Sequence, residues 1–68
     1  MKTSFRNQLK GTVKEITKGQ AVCVVKVDLG DGKKLSSIIT VDALKDLDIK
    51  EGDEVLLLIK ATAVALAK

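Results

Sequence analysis

The segment from Val55 to Ile59 is apolar at every position, and this run constrains the fold more than any other feature of the 68-residue chain. A β-strand with one face in water alternates apolar and polar residues, whereas a strand that is apolar throughout needs both faces buried. A domain of this size buries only about 60% of the surface of its unfolded chain. We therefore expect one face of this strand to pack in the domain core and the other against a second subunit, rather than both within one subunit.

Small domains are often stabilised by disulfides or structural metals, but this chain lacks the residues that either would need. Cys23 is the single cysteine, and no histidine is present to help it complete a zinc site. The only aromatic residue is Phe5, so the expected core is aliphatic. These observations favour a homo-oligomer.

The apolar patterns predict a mainly β single domain over residues 1–68, with five short strands and one short helix. The predicted strands cover residues 9–17, 21–29, 33–39, 54–60 and 63–66. Gly30-Asp31-Gly32 is a hairpin signal between the second and third strands. Thr40 is a suitable N-cap for a helix whose apolar residues fall at 41, 44 and 47. This order is that of a small OB-type barrel.

The net charge and the N-terminal residues give information about the partner and the cellular compartment of such a domain. A net charge of +3 suits an anionic partner without choosing one. The first residues lack the apolar stretch of a signal peptide, and no apolar run approaches the ~18 residues of a membrane span. A lone cysteine fits a reducing compartment. We expect a cytoplasmic protein that does not enter a membrane.

Residues suited to catalysis are scarce. General acid–base chemistry usually uses histidine or a carboxylate pair in a cleft, and the chain has no histidine. The carboxylates between residues 46 and 54 form a polar loop that lacks the ligand spacing of a calcium site. Cys23 lies in a valine-rich strand, where a buried inert thiol is expected. We therefore expect neither an enzyme nor a metal ion coordinated directly by side chains.

Three groups of residues could instead bind an anion. Residues 3–7 form a polar, cationic segment ahead of the first strand. Thr40 begins a helix, where backbone N–H groups and the helix dipole attract anions. Lys60, Ala61 and Thr62 supply a cation, a small residue and a hydroxyl after an apolar strand. Each group taken alone is equally well explained as surface charge, helix cap or ordinary strand residue.

Taken together, these segments resemble the molbindins (the Mop family, with a TOBE- or MOP-like domain) and the related molybdate-binding domains of transport regulators. Residues 4–11 resemble the S-x-R-N-x-L opening of that family, and residues 37–40 resemble its stretch before the short helix. Residues 47–55 resemble its L-x-L-x-x-G-D-x-V loop. Residues 59–62 resemble its I/V-K-A-S/T signature. The similarity covers essentially the whole chain, in order and with compatible spacing.

The resemblance implies a hexamer, built as a trimer of dimers with shared strands, that holds molybdate or tungstate between subunits for storage or homeostasis of molybdenum. It implies no organic cofactor. By position, the implied oxyanion ligands are Ser4, Phe5 through its backbone, Arg6, Thr40, Lys60, Ala61 and Thr62. The family has a second class of site on the threefold axis, for which the candidates are Lys18, Gly19, Gln20 and Ala21.

The proposed ligands suit the chemistry of this anion. Molybdate is a tetrahedral dianion that carries no proton near neutral pH, so each of its oxygens accepts hydrogen bonds. Arg and Lys only donate, and Ser, Thr and backbone N–H groups can donate. Charge-assisted bonds of this kind contribute roughly 1.5–3 kcal/mol each. Several that converge could bind the anion without a covalent bond to the metal.

Two other functions remain open from the residues. A nucleic-acid-binding OB domain would use aromatic stacking platforms, and Phe5 is the only aromatic residue available. A swapped-hairpin DNA-binding module of the AbrB type is the second alternative, because residues 47–55 also resemble the central loop of that group. Such a module usually carries an Arg- and Pro-containing segment upstream, and this chain has no proline.

Overall fold

The computed structural model describes residues 1–68, and it confirms a mainly β domain with one short α-helix. The strands are β1 (Asn7–Lys18), β2 (Val22–Gly30), β3 (Lys33–Thr40) and β4 (Glu54–Ile59). Helix α1 (Val41–Asp46) follows β3, and a turn of 3-10 helix, Ala61–Ala63, follows β4. The strands form one antiparallel sheet in the order β3-β2-β1-β4.

Strand β1 is the longest strand and organises the sheet. Its second half pairs with β2 and its first half with β4, and Thr12 is paired in both ladders. A bulge between Val13 and Glu15 changes the register of β1 against β2. Bulges bend a strand and increase its twist. The sheet accordingly curls into a half-barrel, closed further where the Val13 amide donates to the Asp53 carbonyl at 2.8 Å.

The turn between β2 and β3 and the start of α1 follow their sequence signals. Gly30, Asp31 and Gly32 all have positive φ, a backbone conformation that glycine adopts readily. Thr40 is the N-cap of α1, because its Oγ1 accepts a hydrogen bond from the Ala43 amide at 3.0 Å. The predicted hairpin and helix cap are therefore confirmed.

The interior of the half-barrel is small and aliphatic. Only six of the 68 residues are buried. Cys23 is one of them, and its thiol donates to the Ile39 carbonyl at 3.5 Å, so the predicted buried cysteine is confirmed. Leu44 of α1 packs against the sheet residues of this core. The buried side chains of the core are Val13, Cys23, Val25, Val27 and Leu44.

The prediction of a fifth strand at residues 63–66 is wrong. The chain turns after β4, with the Ala63 amide donating to the Lys60 carbonyl at 2.9 Å. The ladder between β1 and β4 ends at the pair Asn7 and Ile59, so later residues meet no strand to pair with. The last residues instead extend into solvent, and Leu66 is 96% exposed. One chain therefore forms an open four-stranded half-barrel rather than a five-stranded barrel.

The apolar run of β4 divides between the two faces of the sheet. Val55, Leu57 and Ile59 are half-buried, whereas Leu56 and Leu58 remain 40% and 37% exposed. A cavity of about 240 Å³ opens beside β4, and nine of its ten lining residues are apolar. The radius of gyration is 12.6 Å, above the roughly 11 Å of a compact domain of this length. A single copy thus leaves much apolar surface uncovered.

Helix α1 has six residues, and the chain contains no helix that could span a membrane.

Candidate functional site

A polar cavity of about 210 Å³ lies where β1 begins and β4 ends. It is lined by Ser4, Arg6, Lys60, Ala61 and Thr62. Five of the seven residues predicted for the first site therefore meet around one cavity, although Ser4 and Thr62 are far apart in sequence.

The sheet brings the two cations of this cavity together. Asn7 and Ile59 are the last paired residues of the antiparallel ladder between β1 and β4. Arg6 comes directly before Asn7, and Lys60 comes directly after Ile59. Because paired residues in such a ladder have Cα atoms only about 5 Å apart, the flanking residues leave the sheet as neighbours. The N-terminal segment and the end of β4 thus reach the cavity side by side.

The turn after β4 presents backbone donors beside these side chains. Lys60 precedes the 3-10 turn with extended backbone angles, φ −64° and ψ 140°. The first hydrogen bond of the turn runs from the Ala63 amide to the Lys60 carbonyl. The amides of Ala61 and Thr62 come before that bond, so the turn itself supplies them with no acceptor. Both residues line the cavity, and the side chain of Ala61 is only a methyl group.

The cavity lacks negative charge. The three ion pairs of the chain, Lys14–Asp28, Lys26–Glu15 and Lys50–Asp48, all lie elsewhere. Arg6 and Lys60 are therefore not neutralised by a carboxylate, and no Asp or Glu lines the cavity. Its polar side chains are two cations and two hydroxyls. Such a set can donate several hydrogen bonds to an unprotonated anion.

Phe5 does not reach this cavity. Its amide donates to Thr3 Oγ1 at 3.2 Å, and its carbonyl accepts from Gln8 Nε2 at 3.2 Å. Its backbone is therefore engaged within the N-terminal segment, and its side chain is half-buried. Within one chain, the structure gives Phe5 a role in shaping this segment.

Thr40 lies at the opposite end of the sheet. It pairs with Val22, next to the turn that follows Lys18 at the far end of β1. Strand β1 has 12 residues, and at about 3.3 Å per residue its ends are separated by up to roughly 35 Å. Thr40 and Arg6 of the same chain therefore do not contact one small anion.

The turn of residues 18–21, predicted for a second site, lies beside Thr40. The Gly19 amide donates to the Val22 carbonyl at 2.8 Å, and the Ala21 carbonyl accepts from the Val41 amide at 2.9 Å. The candidates Lys18, Gly19, Gln20 and Ala21 are all exposed, and none of them lines a cavity of the single chain.

Asn7 is a residue of the site region that the sequence analysis did not include among the ligands. Its side-chain amide donates to the Ile59 carbonyl at 3.3 Å, across the last pair of the ladder. The arginine–asparagine pair in the N-terminal segment was the available signal. The contact itself could not be inferred, because it depends on the register of β1 against β4.

The two other polar cavities both include carboxylates, and the one of about 360 Å³ is lined by Lys14, Glu15, Lys26, Lys34 and Ser36. A cavity of about 380 Å³ beside β1 is lined by Lys10 and Lys14 but also by Asp28 and Glu54. Carboxylates at such a position repel a dianion. No group of three or more His, Cys, Asp or Glu side chains is placed to hold a metal ion.

Comparisons with known proteins place the sequence and the fold of the chain in a family. The TOBE domain family matches residues 3–66. A protein of Haemophilus influenzae named a probable molybdenum-pterin-binding protein is 45% identical over 64 residues, which are 94% of this chain and 93% of the relative. The fold matches that of a molybdate-binding protein from Sporomusa ovata with a TM-score of 0.93, at 44% identity over the full length of both chains. A third match is the cytoplasmic molybdate-binding protein ModG, whose crystal structure contains molybdate. The TM-score is 0.83 and the identity 38%, and the match covers 90% of this chain and 43% of ModG.

Proposed function

The chain belongs to the TOBE domain family, and from that premise we propose that it binds molybdate or tungstate reversibly. The observation that carries this proposal is the cavity lined by Ser4, Arg6, Lys60, Ala61 and Thr62. It combines two unpaired cations with hydroxyls and no carboxylate, which is what an anion with acceptor oxygens only requires. Relatives whose names or structures refer to molybdenum or molybdate support the same ligand.

The proposed ligand is the small oxyanion rather than a pterin, although some relatives are named for both molybdenum and pterin. The cavity has a volume of about 210 Å³, and Ala61 is its only apolar lining residue. A flat heteroaromatic ring would need an apolar or aromatic surface to stack on. The cavity offers charge and hydroxyls instead, so we assign no organic cofactor.

We place the complete site between subunits. Thr40 cannot join Arg6 and Lys60 within one chain, because it lies at the other end of the sheet. If Thr40 is a ligand, it reaches the anion from a neighbouring copy. The turn of residues 18–21 lies next to Thr40, so a second class of site near that turn would also be completed by contacts between copies.

Uncovered apolar surface supports the assembly that this site requires. Leu56 and Leu58 are exposed on β4, and Leu47 of the neighbouring loop is 65% exposed. Both edges of the sheet, β3 and β4, lack a further strand. Free edges and exposed apolar side chains favour association with identical chains. We propose a homo-oligomer in which the edge strands pack together across subunits, with a hexamer built as a trimer of dimers as the specific form.

The proposed cellular role is storage or homeostasis of molybdenum in the cytoplasm, without chemical change to the anion. A site of cations, hydroxyls and amides can hold and release an oxyanion, and its lining includes no histidine, cysteine or carboxylate to act on it. The related ModG is described as cytoplasmic, which supports the location. The nucleic-acid alternatives have less support, because Phe5, the single aromatic residue, is half-buried and lines no cavity.

Calorimetric titration of the purified protein with sodium molybdate, sodium tungstate, sodium sulfate and a free pterin tests this proposal, with the mass in solution measured in parallel. We expect heat from molybdate and tungstate, a smaller response or none from sulfate and pterin, and a mass of six chains. A monomer that takes up neither metal oxyanion would overturn the proposal. Saturable uptake of the pterin alone would assign the cavity to the organic ligand instead.

A further inference from the structure

The hydrogen bond from Asn7 Nδ2 to the Ile59 carbonyl joins the residue next to Arg6 to the residue next to Lys60. It joins residues separated by 52 positions in sequence, at the last pair of the ladder between β1 and β4. Beyond this pair, no backbone ladder links the N-terminal segment to the end of β4. The bond is thus a side-chain contact between the two segments at the point where their backbone pairing ends.

The bonded carbonyl has a direct connection to Lys60. The carbonyl of Ile59 and the amide of Lys60 belong to one peptide unit, which is planar. A donor that holds this carbonyl therefore fixes the orientation of the plane from which Lys60 leaves β4. On the other side, Asn7 is covalently next to Arg6. One side chain thereby constrains the positions of both cations.

The neighbouring amide, Gln8, provides a contrast. Its Nε2 donates to the Phe5 carbonyl at 3.2 Å, only three residues away, and makes no bond to β4. Asn7 is half-buried, whereas Gln8 is exposed. Of the two adjacent amide side chains, only Asn7 therefore connects the N-terminal segment to the end of β4 and can control the distance between them.

We propose that Asn7 is a positioning residue: it does not line the cavity, but it sets the spacing of Arg6 and Lys60 on which oxyanion affinity depends. This inference rests on the proposed binding of molybdate. The spacing has value only when both cations are present, since a dianion held by one cation alone can shift with it. Preorganised ligands bind more tightly because less ordering is needed when the anion arrives.

The test is a double-mutant cycle with sodium molybdate, followed by calorimetry on the assembled protein. We expect Asn7→Leu to weaken binding by about tenfold, as substitutions of residues that orient ligands commonly do. In the Arg6→Ala background and in the Lys60→Ala background, the same substitution should change affinity by less than about twofold. The matched control Gln8→Leu, which also removes an amide, should have a similarly small effect. Asn7→Ser, too short to reach the Ile59 carbonyl, should match Asn7→Leu and serves if the leucine variant folds poorly.

Four results would overturn the inference. Undiminished affinity in both Asn7 variants would exclude the positioning role while leaving the proposed function intact, provided that Arg6→Ala still weakens binding. An effect of Asn7→Leu that persists fully in both cation-deficient backgrounds, or an equal effect of Gln8→Leu, would show general destabilisation instead. Failure of the wild-type protein to bind molybdate would remove the proposed function itself and the inference with it.

Discussion

Gly11 of β1 lies directly against the side chain of Val27 in β2. A Cβ atom on Gly11 would overlap Cγ1 of Val27 and would come within 3.0 Å of the Asp28 carbonyl oxygen. This close approach occurs where β1 passes from pairing with β2 to pairing with β4, at Thr12. The close packing of β1 against β2 at this point therefore requires a residue without a side chain.

Gly11→Ala should lower the free energy of unfolding by about 1–3 kcal/mol, the usual cost of forcing extra volume into a packed interior. Urea denaturation of the two proteins measures this difference. Thr12→Ala is the matched control, because Thr12 is exposed at the adjacent position and its loss should change stability by less than about 0.5 kcal/mol. Equal stability of Gly11→Ala and the wild type would contradict the tight contact with Val27.

Arg6→Ala and Lys60→Ala should each weaken molybdate binding by about 10- to 100-fold, since each removes one charge-assisted hydrogen bond. Calorimetric titration measures the effect. Lys33→Ala is the control, because it removes the same charge from an exposed lysine that lines no cavity. Unchanged affinity in both site variants would show that the site is wrongly assigned even though the family is right.

Thr40 has a structural role that can be separated from a role in binding. Thr40→Ala should destabilise the protein by about 1 kcal/mol, because the Ala43 amide loses its cap. Thr40→Asp retains a capping oxygen and should keep near wild-type thermal stability, yet its carboxylate should repel a dianion bound next to it. Thr40→Ser keeps both functions and is the control. If Thr40→Asp binds molybdate as tightly as Thr40→Ser, Thr40 is a helix cap and not a ligand.

Leu58→Lys should dissociate the proposed oligomer, because it places a charge on the exposed apolar face of β4. Light scattering or native mass spectrometry measures the change in mass. Asp46→Lys adds a lysine at an exposed position at the end of α1 and should leave the mass unchanged. If the complete site lies between subunits, Leu58→Lys should also weaken molybdate binding. An assembly that survives this substitution would show that β4 does not lie in an interface.

Much of the fold could be predicted because local chemistry decides it. The β-branched residues of β2, the glycine-rich hairpin and the cap at Thr40 each favour one conformation regardless of the rest of the chain. The strand proposed at residues 63–66 failed for the opposite reason. Its small residues have little preference of their own, and a strand needs a partner, which β1 no longer supplies beyond Ile59.

The residue types of the candidate site could be predicted from the sequence, but their spatial arrangement could not. The resemblance supplied Arg6 and Lys60, yet only the pairing of Asn7 with Ile59 explains why they meet. The antiparallel order of three strands likewise separates Thr40 from them, and no pattern within the chain could show that.

The sequence by itself determined the four strands β1 to β4, the helix cap, the aliphatic core and the apolar character of both faces of β4, because these follow from local propensity and from the pattern of apolar residues. The tertiary structure alone decided which residues share a cavity and which apolar surface stays open. Register and strand order set these relationships, and both arise from contacts between residues that are distant in the sequence. In one chain they leave Leu56 and Leu58 exposed on the same strand that leads into Lys60.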